Sequence, residues 1–215
     1  MKKLLLLLLL SLGFIGVTSA GQLDDNIQKL KSSNSCESCN LQGANLRGLY
    51  LNGANLRGAD LLGAILSRVF LSKADLSGAN LIRADITRTN LREANLSEAN
   101  LSQAELMHSS FFGADLSGAN LRGADLSDAD FWGADFLGAD LSYTSLKRAV
   151  LIYAGLGRAN LRGANLRGAN LSKAFLGEAD LSDANLSGAD LSDAYLSGAK
   201  FCNTTTPWGI DNSGC

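Results

Sequence analysis

The 215-residue sequence predicts an all-β, four-sided solenoid, and three observations carry that prediction. A large apolar residue recurs every five positions from Leu41 to Phe201, 33 times without a break. Two residues before it stands Ala in 27 of the 33 cases, as at Ala44, Ala54 and Ala59. Departures from the pattern recur at twenty-residue spacing: Leu49, Val69, Thr89 and Ser109 in the Ala position, Phe111 and Phe131 in the Leu position.

A period of five fits neither the 3.6 of an α-helix nor the 2 of a strand. In a continuous helix, residues five apart spread around the surface and no single stripe buries them. If each five residues instead make one side of a square coil, Leu and Ala point inward on every side. Ala must be small because four sides meet around a narrow interior, and Leu fills what remains. Residues twenty apart then stack at the strand spacing of about 4.8 Å, so that eight coils make a rod on the order of 40 Å long.

The pattern Ala-(Asn/Asp)-Leu-X-X, as in Ala54-Asn55-Leu56-Arg57-Gly58 and Ala79-Asn80-Leu81-Ile82-Arg83, resembles the pentapeptide-repeat proteins over residues 39–203. The resemblance implies a right-handed quadrilateral β-helix of about eight coils with tight turns at its corners. Gly fills the last repeat position 15 times in 33, including Gly43, Gly48, Gly53 and Gly58, as type II turns require. Arg68, Lys73, Arg83 and Arg88 stand there instead, and a different turn type is expected at those corners. Stability should be nearly additive along such an array. A charge at Leu96 or Leu116 should break it locally, because the interior holds no polar partner.

Both flanks differ from the array. Residues 1–20 have the layout of a signal peptide: Lys2 and Lys3, an apolar run from Leu4 to Val17, then small residues ending at Ala20, after which cleavage is expected. That run is short for a membrane span, which takes about 20 apolar residues. No cysteine lies near the cut, which argues against a lipoprotein. Cleavage removes two lysines and no acid, leaving 17 basic and 21 acidic side chains and a formal charge of −4. Residues 21–38 form an N-terminal segment in which Leu23, Ile27 and Leu30 follow helical spacing behind Asp24 and Asp25. A short helix over 23–31 is expected to cap the first coil, since open solenoid ends invite stacking. Residues 204–215 form a turn-rich tail, with Trp208 expected as a lid over the last coil.

The four cysteines sit at the two ends, Cys36 and Cys39 against Cys202 and Cys215. Of three pairings on paper, the rod excludes those that join its ends, because bridged Cα atoms lie within about 7 Å. Cys202–Cys215 closes a short terminal loop. Cys36 and Cys39 form a CxxC, but Cys39 stands in an inward Ala slot and neither a second CxxC nor a nearby His accompanies them. A structural pair or two free thiols is expected rather than a redox or metal centre, and export would favour the oxidised state. The segments Phe201-Cys202-Asn203-Thr204-Thr205 and Asn212-Ser213-Gly214-Cys215 also resemble the ending of exported cyanobacterial pentapeptide-repeat proteins. That implies periplasm or thylakoid lumen.

No catalytic constellation emerges. Asp115, Asp125, Asp130, Asp135 and Asp140 occupy the outward slot of the repeat, where bonding to neighbouring backbone is expected. His108, the single histidine, falls in a turn with no nucleophile beside it. No P-loop or metal-ligand motif is present, no cofactor is expected, and the register has no insertion from which a cleft could be built. Two surface features stand out. Phe112, Trp132 and Ile152 share an outward column, with Val150 and Tyr153 beside it and Leu137 around the corner. Such a patch marks either a contact with a protein partner or a second copy, or mutual stacking across strands. Arg68, Arg88, His108 and Arg148, with Lys147 and Arg167, form a column broken by Asp85, Glu105, Asp125 and Asp128, which reads as a mixed solvated face.

The expected function is therefore a non-enzymatic structural or protein-interaction solenoid of an exported compartment. Neither a nucleic-acid partner nor, after leader cleavage, a membrane is expected. The resemblance supplies one alternative, since some members mimic DNA and bind topoisomerases. Those look dimeric, cytosolic and strongly acidic, whereas Arg47, Arg57, Arg122, Arg162 and Arg167 intersperse the acids here.

Overall fold

Each repeat closes on itself before it meets a neighbour. The Ala N–H bonds back to the Leu C=O three residues earlier, as in Ala54 to Leu51 at 3.0 Å, and this makes one corner. Three further bonds per repeat run along the axis: Leu56 N–H to Asp75 O at 2.7 Å, Gly58 N–H to Ser77 O at 2.9 Å and Asp75 N–H to Ala54 O at 2.9 Å. In a computed structural model describing residues 19–215, these bonds produce parallel bridges at a constant offset of twenty, from Ser35↔Asn55 to Asn185↔Thr205. The predicted signal peptide lies outside the described residues except for its last two positions.

Four faces result. Face 1 carries Leu41, Leu61 and their successors, face 2 Leu46 and Leu66, face 3 Leu51 and Leu71, face 4 Leu56 and Leu76. The Leu and Ala columns form one continuous buried core from Leu41 through Leu186. Hydroxyls in the Ala column are tolerated because a carbonyl receives them: Thr89 Oγ1 donates to Leu66 O at 2.6 Å and Ser109 Oγ to Ile86 O at 2.5 Å in the preceding coil, and Thr144 Oγ1 to Leu141 O at 2.7 Å in its own. A buried hydroxyl so bonded avoids the cost of an unpaired one, about 1–3 kcal/mol.

The corners differ from expectation. Arg68, Lys73, Arg83 and Arg88 do not adopt another turn; their φ values of 61, 60, 56 and 56° match the 60–69° of Gly43, Gly48 and Gly58. The axial ladder explains why. Arg68 N–H must reach Thr87 O at 3.0 Å as Gly58 N–H reaches Ser77 O at 2.9 Å, so the neighbouring coil imposes the left-handed conformation whatever the residue. That conformation costs a non-glycine residue about 1–2 kcal/mol.

Helix α1 spans Ser19–Ser33, longer than the expected 23–31 at both ends. Leu30 is fully buried, Leu23 and Ile27 pack on the core, and Asn26 Nδ2 donates to Asn40 O at 2.8 Å. Asn34, at φ 53°, ends the helix in the left-handed conformation common at helix C-termini. Cys36 and Cys39 are bonded to each other in the inward Leu and Ala positions of the first coil, their Cα atoms 5.2 Å apart.

At the far end β1, Thr204–Thr206, continues face 2 and pairs antiparallel with β2, Gly209–Asp211. The tail then crosses to face 1, where Gly214 N–H reaches Phe201 O at 2.7 Å and Cys215 bonds Cys202. Trp208 is not the expected lid: it is 64% exposed at the hairpin tip, because the chain reverses at Pro207 instead of continuing onto face 3. Buried Thr204 and Thr206 cover the core there instead. Among the described residues no helix is long and apolar enough to cross a membrane.

Candidate functional site

The carboxylates are scaffold. Oδ1 of Asp115, Asp125, Asp130, Asp135 and Asp140 each accepts the amide two residues on, at 2.9–3.1 Å. Asn residues accept the same bond, for example Asn45 Oδ1 from the Arg47 amide at 3.2 Å. Where an Asp is also part-buried, as at Asp85, burial pushes its pKa upward, but bonds from the Thr87 hydroxyl and amide and from Ser67 together hold it below the ordinary carboxylate value. Among the described residues no group of three or more His, Cys, Asp or Glu could hold a metal ion.

Face 3 carries Tyr50, Phe70, Trp132 and Tyr153 among the exposed apolar residues, while Leu137, Phe175 and Tyr195 lie on face 4, and the coil repeat decides how they stack. Phe112 and Trp132, one coil apart, stack with ring centroids 4.7 Å apart and planes within 5°. Tyr153 meets the Trp132 ring edge-on at 5.5 Å. Ile152 and Val150 lie half-buried alongside, Val150 bridging Asp130 and Asn170 in the ladder. Leu137 stands around the corner on face 4, leaning over Gly157, where an added Cβ would come within 3.4 Å of it. Both readings of the patch therefore have a counterpart: the rings satisfy one another face to face, yet Trp132 stays 39% and Tyr153 42% exposed.

Two cations, missed in the sequence, close this stack. The Arg92 guanidinium lies 4.1 Å over the Phe112 ring. Lys173 sits 5.3 Å over Tyr153 and donates to its hydroxyl at 3.1 Å, which raises the lysine pKa. Each lies one coil beyond the ring it covers, so a search at twenty-residue spacing would have found both. The same face carries a second stack nearer the N-terminus, Tyr50 on Phe70 at 4.7 Å and 2°. Face 3 thus presents two aromatic ladders, and contacts of this kind contribute about 0.5–1.5 kcal/mol each.

The basic column lies on face 2 and is mixed. Arg148 is committed to Asp128 through two bonds at 2.7 and 2.5 Å, which hold the Asp128 pKa below its usual value. Lys147, Arg148 and Arg167 line a shallow open depression with Gly168. His108 sits at a corner with φ 60°, like its neighbours up and down the column.

A square coil of twenty residues with continuous ladders on every face defines a β-solenoid protein without a cleft-forming insertion. The chain belongs to the pentapeptide-repeat family: the family model for pentapeptide repeats matches in 8 copies, in overlapping stretches that run from residue 39 to 203. The fold is accordingly a right-handed β-helix. Among solved structures, HetL, a pentapeptide repeat protein involved in heterocyst differentiation regulation from the cyanobacterium Nostoc sp. strain PCC 7120, is 36% identical. That match covers 81% of this chain and 86% of HetL at a TM-score of 0.38. QnrB1, a plasmid-mediated fluoroquinolone resistance protein, is 22% identical over 79% of this chain and 87% of its own, at a TM-score of 0.52. A pentapeptide repeat protein from the Arabidopsis thaliana thylakoid lumen is 26% identical over 50% of this chain and 61% of its own, at a TM-score of 0.22. No curated protein matches the chain.

Proposed function

We propose that this chain is a non-catalytic interaction scaffold of an exported compartment, periplasm or thylakoid lumen, that engages a protein partner through face 3. The observation that carries the proposal is the partly exposed apolar strip of Phe112, Trp132, Val150, Ile152 and Tyr153, with Leu137 beside it. Large exposed apolar side chains that share one face of a rigid rod, while the outward slots elsewhere are mostly polar, are what an interaction surface looks like. The apolar leader ending at Ala20 and the cysteine pair at each end support export. Cleavage after Ala20 leaves Leu23, Ile27 and Leu30, the residues of α1 that seal the core, in the mature chain.

Charge distribution supports a scaffold over a DNA mimic. Some acids on the coils face bases one turn away, as in Arg158–Glu178 at 2.9 Å and Arg162–Asp183 at 3.2 Å, and the acidic column of Asp85, Glu105 and Asp125 gives way to Ser145 after three coils. The test is crosslinking with mass spectrometry on the natively exported protein, wild type against Trp132→Ser. The proposal expects a partner crosslinked to face 3 and lost in the variant, and N-terminal sequencing that begins at Gly21. An unchanged crosslink pattern in the variant refutes the assignment to face 3.

A further inference from the structure

Face 2 changes character half-way along the rod. Its outward slot carries Asp85, Glu105 and Asp125 in successive coils, then Ser145, Asn165, Asn185 and Thr205. In most repeats the Asn or Asp of that slot accepts the amide two residues on, as Asn165 Oδ1 accepts from Arg167 at 3.2 Å. Ser145 does not. Its hydroxyl pairs with that of Ser127 at 2.8 Å, and the Lys147 N–H has no acceptor among the described residues. Ser67 and Met107 on this face also lack the bond, but Asp85 bonds Ser67 and Glu105 fills the slot beside Met107. The carboxylate above Ser145, that of Asp125, is taken by the amide and hydroxyl of Ser127. Lys147 and Arg167 stand in one outward column a coil apart, and neither forms an ion pair among the described residues. Like charges stacked on neighbouring strands repel. Elsewhere the rod sets an acid a coil away from a base, as at Arg148 and Asp128 or Arg158 and Glu178.

We propose that this stretch of face 2 binds a phosphate-type oxyanion. Only donors border the Ser145 position from below: the Lys147 N–H, the ammonium of Lys147, the guanidinium of Arg167, and Asn165 Nδ2, which bonds nothing among the described residues. Lys147, Arg148, Arg167 and Gly168 line one shallow depression, and Gly168 keeps it open, since a Cβ there would lie 3.6 Å from Arg148 Cγ. The stacked cations set the ligand's charge. Their Cα atoms are about 4.8 Å apart, one strand spacing, so a single group can lie between both side chains. A carboxylate brings one charge and two oxygens, which leaves a cation or the amide unmatched. A phosphate brings nearly two charges and at least three acceptor oxygens. It can take a forked contact from the guanidinium, a point contact from the ammonium and a bond from the free backbone amide. The site lies around the corner from Val150 and Ile152 and does not depend on the partner proposed for face 3.

Titration of the full disulfide-bonded protein with inorganic phosphate at constant ionic strength, read from backbone amide resonances, tests the proposal. The Lys147 amide should shift saturably, and chloride at the same ionic strength should not move it. Arg167→Gln should weaken binding about tenfold, the loss of one charge-assisted contact. Ser145→Asn returns to the Lys147 amide the acceptor that other repeats have and changes no charge. It should weaken binding several-fold with a melting curve no lower than that of wild type. Arg57→Gln on face 4 and Trp132→Ser on face 3 should leave binding intact. Co-sedimentation with vesicles of phosphatidate in phosphatidylcholine separates the two sources of such a group. Pelleting that free phosphate reverses places it on a lipid, and a protein left in the supernatant places it on a soluble molecule. A shift that rises without saturating, or that chloride reproduces, overturns the proposal. So does binding that Ser145→Asn leaves at wild-type strength, because screening of surface charge alone would then account for it.

Discussion

The two ends of the rod meet the same problem with different means. At the N-terminal end, α1 lays an amphipathic stripe over the first coil, and Cys36, Cys39, Leu41, Ala44 and Leu46 beneath it are buried. At the C-terminal end a three-residue strand, its return strand and a disulfide cover two faces and leave Leu191 and Leu196 partly exposed. A helix lies across the end of the coil and sets Leu30 into the core, with Leu23 and Ile27 packed against it. A hairpin can extend only the face from which it grows. Sealing a solenoid thus depends on leaving the twenty-residue path, and the manner of leaving decides how much of the end is covered.

The largest effect expected from this contrast comes from shortening one leucine at each end. Leu30→Ala should cost about 2–4 kcal/mol, in the range for a fully buried leucine, whereas Leu196→Ala should cost about 1 kcal/mol, since less of it leaves water. Hydrogen exchange read coil by coil is the suitable measurement, because a repeat array need not unfold in one step. Equal losses at the two ends would break the comparison.

The disulfides sharpen it next. Cys202–Cys215 spans a separation of 13 residues and Cys36–Cys39 one of 3. Chain entropy assigns about 3 kcal/mol to the larger loop and about 2 kcal/mol to the smaller. Cys215→Ser should therefore release exchange protection at Thr205 and Gly214 while α1 stays protected, and Cys36→Ser with Cys39→Ser should do the reverse.

A smaller contrast separates the first coil from the middle. Corners 43 through 63 are all Gly, while those from 83 through 108 are Arg, Glu, Gln or His in the same left-handed conformation. Arg88→Gly should raise stability by up to about 1 kcal/mol, with part of the relief offset by the freedom Gly gains in the unfolded chain. Gly63→Ala, where nothing lies within 4 Å of an added Cβ, should lower it by about 1 kcal/mol through φ alone. Matched denaturant curves on the two variants would show opposite signs.

The smallest effect is a pH dependence in the middle coils. Asp85 and Asp128 have pKa values held below the ordinary carboxylate value of about 3.9. A folded pKa lower than the unfolded one contributes stability above that ordinary value and loses it as pH falls through the folded one. Asp85→Asn should accordingly lower the melting temperature at neutral pH, where that contribution is fully present, and flatten its acid limb below about pH 4.

Much of this was legible in the residues. The five-residue period located the core, and the twenty-residue period placed Phe112 over Trp132 and separated the cysteines into two ends. Arg92 and Lys173 escaped notice because long flexible side chains reach a coil away from their own position, and no periodic apolar signal marks them. The left-handed φ of Arg88 was illegible for a different reason: propensity argues against it, and the ladder to Met107 O overrules propensity. The partial exposure of Leu191 and Leu196 depends on where Pro207 turns the chain, a tertiary outcome that a repeat pattern does not contain.

The constant offset of twenty has a consequence for how such a chain can change length. Excising twenty residues, for example 72–91, rejoins equivalent positions and shortens the rod by one rise, with every later column in place. Excising five also keeps each Leu and Ala inward, so the core survives. Made between Phe112 and Trp132, it nevertheless rotates everything downstream by a quarter turn, which carries Trp132 off Phe112 and onto another side of the rod. Surface identity in this molecule is a matter of phase, and a deletion can erase it without disturbing the packing that makes the protein fold.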